Sequence, residues 1–354
     1  MNLRGIGKKA AVAGVVVAGT GLACSGAVAW SVVAASRRKS RRLNGKVVLI
    51  TGSSRGLGLA LAEEFGRKGA KLALCARDTD ELERARKLLL VRGAGDDPED
   101  IFISSHDLSE PQQAEQLIQE VTERFGRIDV LVNNAGVITV GPIENQTVQD
   151  FRNVMEANFF SGLQCTMAVL PQMLARGDGN IVNITSIGGK IAVPHLLPYT
   201  ASKFAAVGFS EGLNAELRSK GVLVTTVCPG LMRTGSHVNA VFTGDAPREY
   251  RWFSLSAGFP GISTSARSAA QKIVRATAAG KSEIAITPQA MFAVRFAGLC
   301  PTATARALQL MNAVLPSHVD GATEHHRGSE VRSREVKPAL FLAQGAARRY
   351  NQST

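Results

Sequence analysis

Ser186, Tyr199 and Lys203 are spaced so that they could act on one proton: the tyrosine comes thirteen residues after the serine, and the lysine follows at i+4. A helix over 200–220 would put Tyr199 and Lys203 on one face near its start. A phenol with a pKa of about 10 is a poor acid–base group at neutral pH. An ammonium held close to it, beside a cationic nicotinamide, favours the phenolate and lowers that value. A serine hydroxyl delivered by the strand 180–185 would hydrogen-bond a substrate carbonyl or alkoxide.

A second constellation lies upstream. The apolar run 46–51 reads as a buried parallel strand and is followed by Thr51-Gly-Ser-Ser-Arg-Gly-Leu-Gly58, after which Leu57, Leu61 and Phe65 recur at helical spacing. Strand, glycine-rich turn and helix form the setting a phosphate-binding loop requires. The glycines admit the backbone to a pyrophosphate, and the helix N-terminus supplies free N–H groups. At the end of the second strand, 72–75, Arg77 and Asp78 are adjacent. An acid there suits the free 2′-hydroxyl of NAD and a base suits the 2′-phosphate of NADP. Arg55 is within reach of the same phosphate, which favours NADP(H) and leaves NAD(H) open. Arg77 could instead pack over the adenine.

The elements that must position these groups alternate. Strands are expected at 101–103, 128–132, 180–185 and 283–286, with helices at 112–125 and 265–280 among them. Parallel strands joined by helices imply right-handed crossovers, and hence an α/β, Rossmann-type, doubly wound sheet of seven parallel strands. Asp107, the run Asn133-Asn-Ala-Gly136 and Ser186 all fall at its carboxyl edge, where ligands of such sheets bind.

With these residues in place the chain resembles the short-chain dehydrogenase/reductase family, classical type. The matching motifs are Thr51-Gly-x3-Gly-x-Gly58, Asp107, Asn133-Asn-Ala-Gly136, Asn158, Ser186, Tyr199-x3-Lys203 and Cys228-Pro-Gly230, over about residues 45–287. The resemblance implies Tyr199 as general acid in reduction and Ser186 as orienting donor. It implies that Lys203 binds the nicotinamide ribose and that Asn158 holds a proton-relay water. The dinucleotide would be bound by Gly52, Ser54, Arg55, Gly56, Leu57, Gly58 and Arg77, and by Asp107 and Leu108 at the adenine. Asn134, Ala135 and Gly136 would follow, then Tyr199, Lys203, Pro229, Gly230 and Thr234 towards the carboxamide. Oligomers formed through the fourth and fifth connecting helices are implied as well.

His195, between Pro194 and Pro198, reads as a pocket-rim or surface residue. Residues 235–262 gather Phe242, Tyr250, Trp252, Phe253 and Phe259 in a chain with 5% aromatics. They form either an apolar substrate lid or a set of packing contacts. Two apolar stretches follow, 290–300 and 305–315, each too short to span a bilayer. They suit a membrane interface, a substrate entrance, the core or a dimer contact. Residues 317–354 read as a loosely ordered polar tail.

Residues 10–36 carry no charged side chain. As a helix they would cover roughly 40 Å, against a bilayer core of about 30 Å. Three bases precede this run and five follow it, so it is expected to be an uncleaved transmembrane anchor with the rest of the chain on the cytoplasmic side. The organisation expected is a basic N-terminus (1–9), an anchor (10–36), a basic linker (37–44), a catalytic domain (45–290), apolar helices (291–316) and the tail (317–354). The net charge of +12 has the same origin: residues 1–46 hold nine bases and no acid, leaving 32 bases against 29 acids thereafter. Nucleic acid is therefore not an expected partner. Five cysteines without a CxxC pair, and six histidines without ligand spacing, give no support for a disulfide framework or a metal site.

The expected function is NADP(H)-dependent hydride transfer between nicotinamide and a carbonyl or secondary alcohol. The anchor suggests a lipophilic substrate, such as a keto-lipid or a steroid-like or retinoid-like carbonyl. The alternative is a catalytically weak NADP-binding membrane scaffold or sensor.

Overall fold

The apolar run after Lys46 becomes the first strand of the sheet in the computed structural model, which describes residues 43–95, 97–258, 263–331, 345 and 347–352. The expected anchor at 10–36 and nearly all of the basic linker lie outside the described residues. Among the described residues no helix is long and apolar enough to cross a membrane.

Strand β1 (Val47–Thr51) leads through the glycine turn into α1 (Gly56–Gly66), β2 (Lys71–Ala76), α2 (Thr79–Val91), β3 (Ile101–Ser105), α3 (Pro111–Phe125) and β4 (Val130–Asn133). The second half runs through α4 (Val148–Met155), α5 (Ser161–Arg176), β5 (Gly179–Ile184), α6 (Leu197–Leu217), β6 (Val222–Cys228), α7 (Ala246–Gly258), α8 (Ala266–Ala278) and β7 (Glu283–Ala285). The seven strands are parallel, in the order β7-β6-β5-β4-β1-β2-β3. This is the doubly wound sheet expected from the sequence. The order reverses between β1 and β4, and a crevice forms at such a switch point.

Strand periodicity divides the core. Val48 and Ile50 face one side with α1 and α8, where they meet Leu59, Phe65, Ile273 and Val274. Val47 and Leu49 face the other side, with Leu117 and Val121 of α3 and Val169 of α5. Side chains alternate along a strand, so each buried strand must be apolar on both faces. That accounts for the unbroken Val-Val-Leu-Ile of β1.

Two departures from the sequence-based expectation bear on the site. Residues 235–258 do not form a separate lid: Phe242, Tyr250 and Phe253 are buried together with Val140 and Leu196, in edge-to-face ring contacts. Packing therefore accounts for these aromatics; Phe259 lies outside the described residues. The tail is not uniformly loose either. His326–Arg327 pairs antiparallel with Val241–Phe242, and Tyr350 is 4% exposed within the β1–α1–α8 core.

The two apolar stretches become α9 (Pro288–Leu299) and α10 (Pro301–Asn312), joined at Cys300. Cys75, Cys165 and Cys228 are buried free thiols and Cys300 is an exposed one. Among the described residues no group of three or more His, Cys, Asp or Glu could hold a metal ion.

Candidate active site

The glycine loop is shaped by the lack of side chains. Gly52 has φ +61°, and a Cβ there would lie 2.8 Å from Ala135 Cα. A Cβ on Gly58 would lie 2.2 Å from the Gly52 carbonyl oxygen. The loop is held to the end of β4 by reciprocal bonds. Asn134 Nδ2 donates to the carbonyls of Thr51 and Gly52 (2.9 and 3.0 Å), while Thr51 Oγ1 accepts from the Asn134 and Ala135 amides at 3.0 Å. Asn134 thus braces the two strand ends that flank the switch point.

Beneath this brace runs a buried polar chain. Asn133 Nδ2 donates to Thr166 Oγ1 and to Asn183 Oδ1, and Asn183 Nδ2 donates to Ser210 Oγ, each at 2.9 Å. These bonds fasten α5 and α6 to the sheet at a fixed height, which sets where Tyr199 and Lys203 emerge.

Asn158 sits in a π-helical turn (Glu156–Phe160) between α4 and α5. Such a turn inserts a residue into a helix, a device common at functional sites. Its Oδ1 accepts from the Val137 amide at 2.7 Å, and its Nδ2 donates to the Val137 carbonyl and to Ser202 Oγ (3.0 and 2.9 Å). Gly136 marks the convergence of these groups: a Cβ there would stand 2.8 Å from Asn158 Oδ1 and 3.7 Å from Lys203 Nζ.

Tyr199 enters from the first turn of α6, with Pro198 ahead of it at a position where a missing N–H costs nothing. Ser186 follows β5, and its Oγ accepts from the Gly188 amide at 3.0 Å. Lys203 is 5% exposed and donates to the Ile184 carbonyl at 3.0 Å. Its Nζ lies 5.7 Å from the Tyr199 ring centroid.

The protein groups by themselves do not lower the phenol; the lowering expected from the sequence included a cationic nicotinamide beside it. Burial raises the pKa of Tyr199, and a hydrogen bond with the Ser186 hydroxyl only partly offsets this. Burial also pushes Lys203 down to about 8. The protein groups alone hold Tyr199 as a neutral phenol at neutral pH, a form that donates a proton.

The adenosine side is built differently. Arg55 Nη1 pairs with Glu81 Oε1 at 2.7 Å, and Ser54 Oγ donates to Glu81 Oε2 at 2.9 Å. Arg77 lies 3.8 Å from Asp107. Burial works against ionisation of Asp107, yet hydrogen bonds from Ser109 and the Arg77 charge hold its carboxyl below the usual range. Asp78 caps α2, its carboxylate accepting from the Glu81 amide at 2.9 Å. Arg77 and Asp78 both border the cavity, and Asp78 is at the same time engaged at the start of α2.

All of the sequence-derived residues except Gly58 and Asn158 border a single cavity of about 1090 Å³. Gly52, Ser54, Arg55, Gly56, Leu57, Arg77, Asp107 and Leu108 line one end. Asn134, Ala135 and Gly136 lie between, and Ser186, Tyr199, Lys203, Pro229, Gly230 and Thr234 line the other. Gly58 stands behind the loop and Asn158 behind Gly136. An extended dinucleotide fits this cavity: the glycines leave backbone room, the first turn of α1 borders it, and Arg55 and Arg77 line one end.

Sequence reasoning missed Glu81, Asn239, Arg327 and Gln352, which border the same cavity. Glu81 alone had a local signal, in the first turn of the helix that follows β2. His195 is no rim residue. It is 6% exposed with φ +62°, its Nδ1 lies 2.8 Å from Glu249 Oε1, and its carbonyl accepts from the Gly141 amide. It anchors the segment before Tyr199 to α7.

Comparison with known proteins agrees with this geometry. The short chain dehydrogenase family model matches residues 46–242. A dehydrogenase/reductase SDR family protein 7-like of Anopheles gambiae is 39% identical over 252 residues, which are 71% of this chain and 78% of that protein. Dehydrogenase/reductase SDR family member 7B of Mus musculus is 39% identical over 211 residues, 60% of this chain and 65% of that one. Among solved structures, a short-chain dehydrogenase from Streptomyces avermitilis matches with a TM-score of 0.62 at 30% identity, over 76% of this chain and 98% of its own. An actinorhodin polyketide ketoreductase with NADPH matches with a TM-score of 0.59 at 30% identity, over 69% and 96%. Fold, motifs and relatives agree: the chain belongs to the short-chain dehydrogenase/reductase family of NAD(P)(H)-binding oxidoreductases.

Proposed function

We propose that the protein is an NADP(H)-dependent reductase of a lipophilic carbonyl compound, working at the cytoplasmic face of a membrane. The observation that carries this reading is a neutral, Ser186-bonded Tyr199 opening on the same cavity as the glycine loop. When bound, the dinucleotide supplies the hydride for the carbonyl carbon. Ser186 and Tyr199 hydrogen-bond the carbonyl oxygen, and Tyr199 gives it a proton as the alkoxide forms. Lys203 holds the nicotinamide ribose and favours the departing phenol proton through its charge. Asn158 fixes the relay behind it. Pro229, Gly230 and Thr234 bound the nicotinamide face, while Asp107 and Leu108 meet the adenine.

Preference for NADP(H) is supported by Arg55 and Arg77 at the adenosine end, and by the NADPH carried by the related ketoreductase. The lipophilic substrate is supported by Ile138, Met232 and Val241 on the cavity wall. The membrane location is supported by the uncharged run 10–36 and its basic flank. Helices α9 and α10 add to it: Phe292, Leu299 and Leu310 are more than two-thirds exposed, and residues 288–319 contain no acid. Self-association through α5 and α6 is supported by exposed Met167, Leu174 and Phe204.

The test is loss of NADPH absorbance on addition of long-chain ketones and aldehydes to the full-length protein in lipid. Turnover abolished by Tyr199→Phe is expected. NADPH binding without turnover across the whole panel would favour the scaffold role instead.

A further inference from the structure

The cofactor cavity has a wall that the sequence motifs do not account for. Residues 347–352 return from a distant part of the chain and fasten to both sides of the glycine loop. Tyr350 is the anchor, buried in the core with the Arg92 and Arg349 guanidiniums over its ring. Its carbonyl accepts from the Gly56 amide at 2.8 Å, and Asn351 Nδ2 donates to the carbonyls of Ser54 and Glu81 at 3.0 and 3.2 Å. On the opposite side Asn239 Nδ2 donates to Gln352 Oε1 at 2.6 Å.

That last bond sets the direction of the Gln352 amide. With Oε1 taken by Asn239, the Nε2 end is turned to the loop and would lie 2.5 Å from a Cβ on Gly56. Gln352 borders the cavity that the glycine loop borders. The segment lies over the phosphate cradle: the Tyr350 carbonyl takes the Gly56 amide, and the Gln352 amide stands beside it. The first amides of a helix have no acceptor within the helix. Here the first of them, that of Gly56, is taken by the Tyr350 carbonyl, and an uncharged side-chain donor is brought beside it; uncharged donors bind phosphate oxygens through charge-assisted hydrogen bonds.

We propose that Gln352 is a dinucleotide-binding residue: its Nε2, aimed by Asn239, donates to the pyrophosphate. The inference rests on the reading of the cavity as a dinucleotide site. It assigns Gln352 to the part that NAD(H) and NADP(H) share, so it sets affinity without setting the choice between them.

The test measures dissociation constants for NADPH and NADH by fluorescence titration of the full-length protein, alongside thermal unfolding without ligand. Gln352→Glu keeps the shape but places a carboxylate against the phosphates, and is expected to weaken both cofactors about tenfold. Gln352→Lys is expected to bind both at least as tightly as the wild type. Opposite signs for the two charges, with unfolding temperatures unchanged, identify a phosphate contact. Equal losses in both variants, or an effect confined to NADPH, overturn the proposal. If the wild type binds neither dinucleotide, the reading of the cavity itself fails.

Discussion

The two ends of the cavity are held by opposite physics. At the nicotinamide end, Lys203 and Asn158 are more than nine-tenths buried and their side-chain polar atoms have partners at 2.7–3.0 Å. At the adenosine end the charges are paired but open to solvent: the Arg77 side chain is 65% exposed and that of Arg55 35%. Burial makes protonation states rigid, and exposure makes charge preference easy to tune. Chemistry is thus fixed at one end and cofactor choice is adjustable at the other. Substitutions should separate the two, with large losses of rate at the buried end and modest shifts of preference at the exposed one.

The largest effect is expected from Tyr199→Phe. It removes the proton donor and keeps the ring, so kcat should fall by about three orders of magnitude while the NADPH dissociation constant stays within a few-fold. A fall in binding that matched the fall in rate would show that the buried end is not purely catalytic.

Lys203→Met should lower kcat by about two orders of magnitude and at the same time raise the unfolding temperature, because it removes a charge that burial disfavours. The pH dependence has a definite sign. Lys203 titrates at about 8 in the folded protein against an ordinary 10.5. Between these values the unfolded chain holds more protons, so this group's share of stability rises with pH there, and below about 8 its burial cost is present in full. Activity should run the other way, declining above pH 8 as the ammonium is lost. Thermal unfolding and rate measured from pH 7 to 10 should therefore diverge in the wild type and not in Lys203→Met.

Gly58→Ala lies between the two ends. Its methyl would meet the Gly52 carbonyl at 2.2 Å, and overpacking of this kind costs about 1–3 kcal/mol. Weaker binding of both dinucleotides by about tenfold is expected, with the NADPH-to-NADH ratio unchanged. Titration of each cofactor reads both numbers.

The same division explains what the sequence could reveal. The glycine loop and the Tyr199–Lys203 pair are local: one turn and one helical turn contain the whole signal, and their strands announce themselves by apolar runs. The groups that escaped are defined by contacts across the chain. Gln352 meets Asn239 across 113 residues and Asn351 meets Ser54 across 297, and neither Asn nor Gln carries a pattern that betrays its partner. His195 was misplaced for a related reason. A histidine between prolines reads as loop surface, and only the packing of α7 supplies Glu249 to bury it. The aromatics of 235–258 gave a composition signal with two meanings, and a core contact was chosen over a lid by the short strand at Val241–Phe242.

Glu81 gives the smallest and most diagnostic effect. It accepts from both Arg55 and Ser54, and in the NADP(H) reading proposed above Arg55 would meet the 2′-phosphate. A bound phosphate must compete with this carboxylate for the guanidinium, and it also meets the carboxylate's repulsion. A free 2′-hydroxyl does neither. Glu81→Gln keeps a hydrogen-bonding group of the same size and removes the charge. Partly exposed pairs of this kind are worth about 0–1 kcal/mol, so NADPH should gain a few-fold in kcat/KM relative to NADH. The gain should shrink as salt rises and screens the site. A gain of equal size for NADH would mean that Glu81 acts on the loop as a whole. An NADPH-specific gain would place the discrimination in the competition for Arg55, a partly exposed contact set by a single carboxylate in the first turn of α2.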